Sequence, residues 1–244
     1  MPTTYIDLCN QVLRRLNEVE IAPADFAGVR GVQALVKDAV RSAVAKVNQA
    51  EFEWPFNAAE HTTTLAAGQE EYSFPSDLKV ADFNSFQIQK DDSLGVGFKA
   101  LRYIDRDEWY QRHRDADYES GASGVGVPEY VFPSHGNGFG VSPTPDAAYA
   151  VKFRYFLNFT SLENSGDVTR IPSSFDTLIV DGALYHMYMF KDNPESAGVA
   201  FQAFERGLKS LQSIYINDYR YVRDRRVNFG GGQRRSFDYT PVRF

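Results

Sequence analysis

The amino-acid sequence predicts an α+β protein: a four-helix bundle of two N-terminal and two C-terminal helices, with an inserted antiparallel β region and an extended C-terminal arm. Apolar residues recur with a helical period of about 3.6 near the start of the chain and again after Pro172. Between residues 61 and 157 the period is two, as in half-buried strands. This order of elements is typical of α+β proteins. The predicted N-terminal helical pair, β region, C-terminal helical hairpin and arm are residues 1–58, 59–170, 171–216 and 217–244.

The composition predicts a well-packed body. Of the 244 residues, 43% are hydrophobic and 24% are charged, which suits a folded core and argues against global disorder. Cys9 is the single cysteine, so no intrachain disulfide can form, and its apolar surroundings in the first helix predict a buried, inert thiol. No apolar run approaches the roughly 20 residues that span a bilayer, and no signal peptide is recognisable, so we expect synthesis and folding in a cytoplasm.

Two helices are predicted before residue 50. In the first, Thr4 and Asp7 form a loose capping box, and Leu8, Val12 and Leu16 follow at intervals of four. The second runs from about residue 29 to residue 49, where Val and Ala fill the i, i+3, i+4, i+7 positions of one face. Because Val is a poor helix former by itself, we expect tertiary packing to stabilise this helix.

The β region is predicted to contain short strands separated by turns. The clearest strand is Tyr149 to Leu157, where apolar residues alternate with Lys and Arg. We expect a short helix from Asp105 to Arg114 and a mobile Gly-rich loop from Ser120 to Pro128. The predicted strands are 61–65, 72–74, 83–89, 98–103, 129–132 and 149–157.

The C-terminal helices are predicted to form an antiparallel hairpin. Ser173 and Asp176 resemble a second capping box at the start of the first helix. Asn193 followed by Pro194 indicates an N-cap and the first residue of the second helix. The break between the helices is short, which favours antiparallel packing.

The arm differs from the rest of the chain in charge and pattern. Residues 217–244 contain seven Arg and three Asp, a net charge of +4, so residues 1–216 carry −10 of the total of −6. With no helical stripe, the arm is predicted to be extended, disordered in the free protein, and ordered by a partner. Arg forms bidentate contacts with carboxylates and Tyr provides large anchors. The predicted partner-binding residues are Tyr219, Arg220, Tyr221, Arg223, Arg225, Arg226, Phe229, Arg234, Arg235, Phe237, Tyr239 and Phe244.

No set of residues indicates catalysis, a cofactor or a metal site. Ser134 and His135 are sequence neighbours, and neighbouring side chains in a turn point apart, so they do not form a triad. The glycines of residues 121–126 lack the Lys and Ser or Thr of a phosphate-binding loop. His186 lies on the apolar stripe of a helix, where a hydrogen-bonded core histidine is expected, and His61 is expected to be exposed. The sequence therefore predicts a protein that is not an enzyme.

Nucleic-acid binding by the arm is the main alternative. Arg binds phosphates and Tyr stacks on bases, so the composition suits both kinds of partner. The acidic remainder of the chain would repel a duplex held close to it. This charge distribution favours a protein partner, and a nucleic-acid-binding accessory protein stays open as the second hypothesis.

Several segments resemble the head-to-tail adaptor proteins of short-tailed phages, the tail tubular protein A group. They extend from the end of the first helix into the sheet, and a further one opens the C-terminal hairpin. The segments are Leu13-Arg14-Arg15-Leu16-Asn17-Glu18, Trp54-Pro55-Phe56-Asn57, Thr62–Leu65, Glu71-Tyr72-Ser73-Phe74-Pro75-Ser76-Asp77-Leu78 and Ile171-Pro172.

The resemblance implies a structural protein of the phage virion at the head–tail interface, made in the host cytoplasm. Such adaptors form a homo-oligomeric ring, usually of twelve subunits, between the portal protein and the tail nozzle or tail tube protein. Genomic DNA passes through the channel without sequence-specific binding, and the C-terminal arm reaches the portal. A virion enzyme such as a cell-wall hydrolase is the remaining hypothesis, and no acid–base pair in the sequence supports it.

Overall fold

The computed structural model describes residues 3–92, 95–112, 125–159 and 161–216, and the predicted α+β class is confirmed in them. Five helices are present in these ranges. They are α1 Tyr5–Arg15, α2 Val32–Ala50, α3 Arg106–Arg112, α4 Asp176–Phe190 and α5 Pro194–Tyr215. The strands are β1 Ala58–Leu65, β2 Glu71–Ser73, β3 Leu78–Ala81, β4 Gln87–Asp92, β5 Gly95–Ala100, β6 Arg102–Tyr103, β7 Val125–Gly126, β8 Tyr130–Pro133, β9 Gly138–Ser142, β10 Thr144–Pro145 and β11 Tyr149–Leu157.

Helix starts follow the predicted caps at two of three positions. At α1, the Thr4 hydroxyl accepts from the Asp7 N–H and the Asp7 carboxylate accepts from the Thr4 N–H, so the capping box is confirmed. At α5, the Asn193 side chain accepts from the Ser196 N–H, also as predicted. The predicted box at Ser173 is wrong, because a 3₁₀ turn at Ser173–Phe175 precedes α4 and the Asp176 carboxylate instead accepts from the Thr3 hydroxyl.

One hydrophobic cluster joins α1, α2, α4 and α5. It contains Leu8 and Val12 of α1, Val40 of α2, Ile179 of α4 and Leu211 of α5, each 0% exposed. The segment after β11 also packs here: Leu162 belongs to the cluster.

Helices α4 and α5 run antiparallel, as their contacts show. A Cβ at Gly182 would lie 2.8 Å from Phe204, and one at Gly207 would lie 3.0 Å from Leu178, so the paired positions advance in opposite directions. The two helices are connected by three residues, 191–193. The predicted hairpin follows from this tight connection.

The larger sheet has five strands and is built around β11. Its order is β1-β11-β4-β5, and β3 pairs with another part of β11. All of these pairs are antiparallel. Along β1 the pairing is continuous for eight residues, from Ala58 opposite Phe156 to Leu65 opposite Tyr149.

The second sheet has the order β2-β9-β8-β6 and shares a core with the first. Phe139 and Val141 from this sheet pack with Phe86, Ile88 and Phe153 of the first sheet's region. The rings of Phe86 and Phe153 are stacked with centroids 4.4 Å apart. This aromatic core holds the β region together, separately from the helical cluster.

Several strand predictions were wrong in detail. The predicted strand 83–89 opens with a 3₁₀ turn at Phe83–Ser85. The predicted strand 98–103 is two strands in different sheets, because the chain leaves the first sheet at Leu101. The connection between the predicted strands 129–132 and 149–157 contains β10, which pairs with β7 in parallel. β6 also pairs with β8 in parallel, so the region is not purely antiparallel as predicted. β7 also takes up part of the predicted mobile loop 120–128, and residues 120–124 lie outside the described ranges.

Candidate functional site

The C-terminal end of α5 lies beside the turn that leads into β1. The ring of Tyr215 meets Phe56 edge-on, with centroids 5.9 Å apart. The Gln212 amide donates to the Glu51 carboxylate at 2.8 Å. All predicted partner-binding residues, from Tyr219 to Phe244, lie outside the described residues, so the structure does not place them. It does fix the point from which the arm leaves the body.

Strand β1 forms a long edge of the larger sheet. Within the described part of the chain, β11 is its only strand neighbour. The eight-residue ladder has no register shift, and β1 contains neither Pro nor Lys. One face of β1 is solvent-exposed and carries Glu60, Thr62 and Thr64. A regular edge of this kind can accept a further strand.

A second surface lies at one end of the helical cluster, where two loops meet. The Lys191 ammonium and the Glu18 carboxylate form an ion pair of 2.9 Å that joins the loop after α1 to the α4–α5 connection. The apolar side chains here are strongly exposed. They are Val19 at 79%, Met189 at 54%, Phe190 at 61% and, in the second turn of α5, Val199 at 67%. We call these four residues the tip surface.

Groups that could perform chemistry are dispersed. Cys9 is fully buried, and burial raises the pKa of its thiol to about 12, against smaller opposing effects of Lys37 and Arg41. The predicted burial of Cys9 is thus confirmed, and the raised pKa disfavours the thiolate that reactivity requires. Among the described residues, no group of three or more His, Cys, Asp or Glu side chains has the geometry of a metal site.

The histidines depart from their predicted surroundings. His186 lies on α4, and its Nε2 atom is buried without a hydrogen-bond partner, so the expected hydrogen-bonded histidine is not found. Burial, with a smaller contribution from Lys46, lowers the pKa of His186. His61 is half-buried against Phe153, with ring centroids 5.5 Å apart, rather than exposed. His113 lies outside the described residues.

The sequence matches the SU10 adaptor protein family over residues 3–233, nearly the whole chain. The chain belongs to the SU10 adaptor protein family. The match includes both helical segments, the β region and the arm as far as residue 233. No curated protein shows a significant match.

Membership in the SU10 adaptor family confirms the resemblance to phage head-to-tail adaptors. It supports a structural role in the phage virion, in assembly with other virion proteins. No helix in the described ranges of this adaptor has the length and apolar character needed to cross a membrane.

Sequence reasoning missed the β1 edge and the tip surface of this SU10 adaptor. A signal for the tip was present in α4, where apolar residues occur on every side of the helix, including Met189 and Phe190 at its end. Such a helix is either surrounded by protein or has a contact surface. No comparable signal marks β1, because its position at an edge depends on strands distant in sequence.

Proposed function

We propose that this protein is the head-to-tail adaptor of a phage, forming a ring between the portal and the tail nozzle with a central channel for DNA. The observation that carries the proposal is the SU10 adaptor family match over residues 3–233. Twelve subunits is the number expected from the resemblance to the tail tubular protein A group. The four helices around one core support the predicted four-helix bundle as the rigid part of each subunit.

The arm is the segment proposed to bind the portal. Its net charge of +4 contrasts with −10 for residues 1–216. The arm and the body are therefore expected to bind surfaces of opposite charge. The part of the arm that becomes ordered only on the portal favours stepwise assembly, because its ordering entropy is lost only when that partner is present. The family match continues into this segment, which supports a role for it in the adaptor.

The acidic body suits a channel for DNA. Negative charge on a channel wall repels phosphates, so DNA passes without adhering. An acidic channel wall would repel DNA. In the alternative, a nucleic-acid-binding accessory protein, the Arg and Tyr residues of the arm would instead bind it.

The tip surface is proposed as a contact with the next copy in the ring. Exposed large apolar side chains grouped at one end of a domain are typical of protein contacts. The ion pair between Glu18 and Lys191 joins the loop that carries Val19 to the end of α4, where Phe190 lies. A preformed apolar surface of this kind loses little entropy on association.

Electron microscopy of purified virions tests the ring. Density for this chain between portal and nozzle, in one closed ring, is the expected result. Complete tails on DNA-filled particles assembled without this protein would contradict the adaptor function.

The arm is tested by truncation after Ile216. The described body has its own core, so we expect it to stay folded and soluble while losing affinity for the portal protein. Unfolding of the truncated chain would show that the arm belongs to the core. A salt-dependent shift of DNA mobility that is lost on the same truncation would favour the nucleic-acid alternative.

A further inference from the structure

We propose that, in the free subunit, residues 219–229 of the arm add as a strand to the outer edge of β1 in the same chain. The inference rests on the proposed function in one respect, that the arm is later transferred to a partner. It assigns the arm a binding site on its own body before assembly.

Among the described sheet edges, the outer edge of β1 is the longest regular edge with unpaired backbone groups. In antiparallel pairing, alternate residues of a strand direct both backbone groups away from the neighbour, so about four of the eight β1 residues offer unpaired N–H and C=O groups. Within the described residues, no hydrogen bond reaches the backbone groups of this outer edge. An open edge of this length is a site of aggregation unless it is covered.

The other edges are protected by their sequences or are short. The opposite edge of the same sheet, β5, contains two glycines and Lys99, whose ammonium forms an ion pair of 2.7 Å with Glu129. β2 has three residues and β3 has four, one of them Lys79. Glycine, lysine and shortness all weaken strand addition. Strand β1 is therefore the edge, among those described, that is open and regular.

The arm begins at the right place to reach β1. Ile216 follows Tyr215, whose ring contacts Phe56, and Phe56 precedes the first residue of β1 by two positions. A chain leaving this point and following β1 away from the helices runs parallel to it. Eight strand residues span about 26 Å, which the eleven residues 219–229 exceed when extended.

The arm sequence suits a strand. Residues 219–229 read Tyr-Arg-Tyr-Val-Arg-Asp-Arg-Arg-Val-Asn-Phe, with Tyr, Val and Phe of high β propensity and no Pro or Gly. Gly230-Gly231-Gly232 then ends the segment. Because the arm is tethered beside β1, its effective concentration there is in the millimolar range, well above that of another copy in dilute solution.

Hydrogen–deuterium exchange of the full-length monomer tests the proposal. The test variant is Val222→Pro with Val227→Pro, which removes two N–H donors from the arm and leaves the body unchanged. We expect those amides of residues 58–65 that point away from β11 to exchange at least tenfold faster in this variant than in the wild type. The matched control, Ser236→Pro, lies beyond the three glycines and should retain wild-type exchange in β1.

Each alternative result has a defined meaning. Equal exchange of β1 in wild type and double variant overturns the proposal. Protection that disappears on dilution shows that the strand comes from another copy, and this overturns the assignment to the same chain. If virions contain the ring but the β1 amides exchange freely, this inference is refuted and the adaptor function is not. If β1 is protected but the protein is absent from the head–tail interface, the adaptor function is refuted and this inference is not.

Discussion

At the residue scale, two glycines of the helical hairpin differ in the space available for a side chain. A Cβ on Gly182 in α4 would lie 2.8 Å from Phe204 and 3.0 Å from Ala43, so this glycine allows three helices to approach one another. A Cβ on Gly198 in α5 would meet nothing within 4 Å. Both lie within helices, where Ala is intrinsically favoured over Gly by about 1 kcal/mol.

We therefore expect Gly182→Ala to destabilise the protein by about 1–3 kcal/mol through overpacking, although the helix itself is favoured. Gly198→Ala, the matched control, should stabilise it by up to about 1 kcal/mol. Urea unfolding measures both values. Stabilisation by both substitutions would show that α4 is less closely packed than the structure indicates.

His186 makes stability depend on pH. Its pKa in the folded protein is lowered from 6.5 by burial and by Lys46, so the unfolded chain takes up the proton first. The stabilising contribution is complete above about pH 6.5 and is lost as the pH falls toward the lower folded-state pKa.

His186→Gln should reduce the loss of stability between pH 7.5 and pH 5.5, because the side chain that takes up a proton more readily in the unfolded chain is then absent. Unfolding free energies of both proteins at the two pH values test this. Parallel pH profiles would mean that His186 does not contribute to the acid sensitivity.

At the element scale, a buried polar pair connects α2 to β1. The Asn57 side-chain amide donates to the Asn48 side-chain oxygen Oδ1 at 2.8 Å, and the Asn48 side-chain amide donates to the backbone carbonyl of Val44 at 2.9 Å. Both asparagines are buried. Trp54 lies between them in sequence and donates its indole N–H to the Val47 carbonyl at 2.8 Å. These bonds fix the direction in which the chain leaves the helices and enters the sheet.

Asn57→Ala should lower the free energy of unfolding by about 1–3 kcal/mol, because the side-chain oxygen of Asn48 is left buried without its donor. The double variant Asn48→Ala/Asn57→Ala should cost less than the sum of the two single variants, since both partners are then removed together. A double-mutant cycle from urea unfolding measures the coupling. Additive costs would show that the two side chains act independently.

Strand predictions succeeded where one face of a strand is buried. β11 has the predicted bounds because buried Val151, Phe153, Tyr155 and Leu157 alternate with partly or fully exposed residues. β9 was missed because all five of its residues are buried, and a strand covered on both faces shows no alternation. A Cβ at Gly140 in β9 would lie 2.3 Å from the Phe132 ring, so glycine there reflects ring packing rather than a turn.

At the scale of the whole molecule, the tip surface is the proposed contact between copies in the ring. Met189 and Phe190 are more than half exposed at the end of α4, and their removal takes little from the helical core. Surface substitutions of this kind usually change stability by less than about 0.5 kcal/mol.

We expect Met189→Ser/Phe190→Ser to leave unfolding unchanged and to reduce self-association at least tenfold, as measured by analytical ultracentrifugation. The control is Phe98→Ser, which removes a side chain of similar exposure, 57%, from the β region. Unchanged self-association together with lost binding to another virion protein would assign the tip to that protein instead of a second copy.

The sequence by itself determined the local features of this adaptor: the bounds of α1 and α2 within a few residues, the capping box at Thr4, strand β11, and the separation of an acidic body from a basic arm. These depend on residues close together in the chain, whose periodicity and charge can be read directly. The resemblance to phage adaptors had the same basis, in short segments such as Trp54-Pro55-Phe56-Asn57.

Only the tertiary structure decided which strands share a sheet, that the segment 98–103 divides between two sheets, that β11 is the one strand neighbour of β1 within the described residues, and that Phe190 is exposed while Ile179 is buried. Each of these depends on neighbours that are distant in sequence. A strand's own residues set its alternation, whereas its partners set whether its backbone groups are paired. The two candidate docking surfaces, the β1 edge and the tip surface, therefore depend on residues that are distant in sequence.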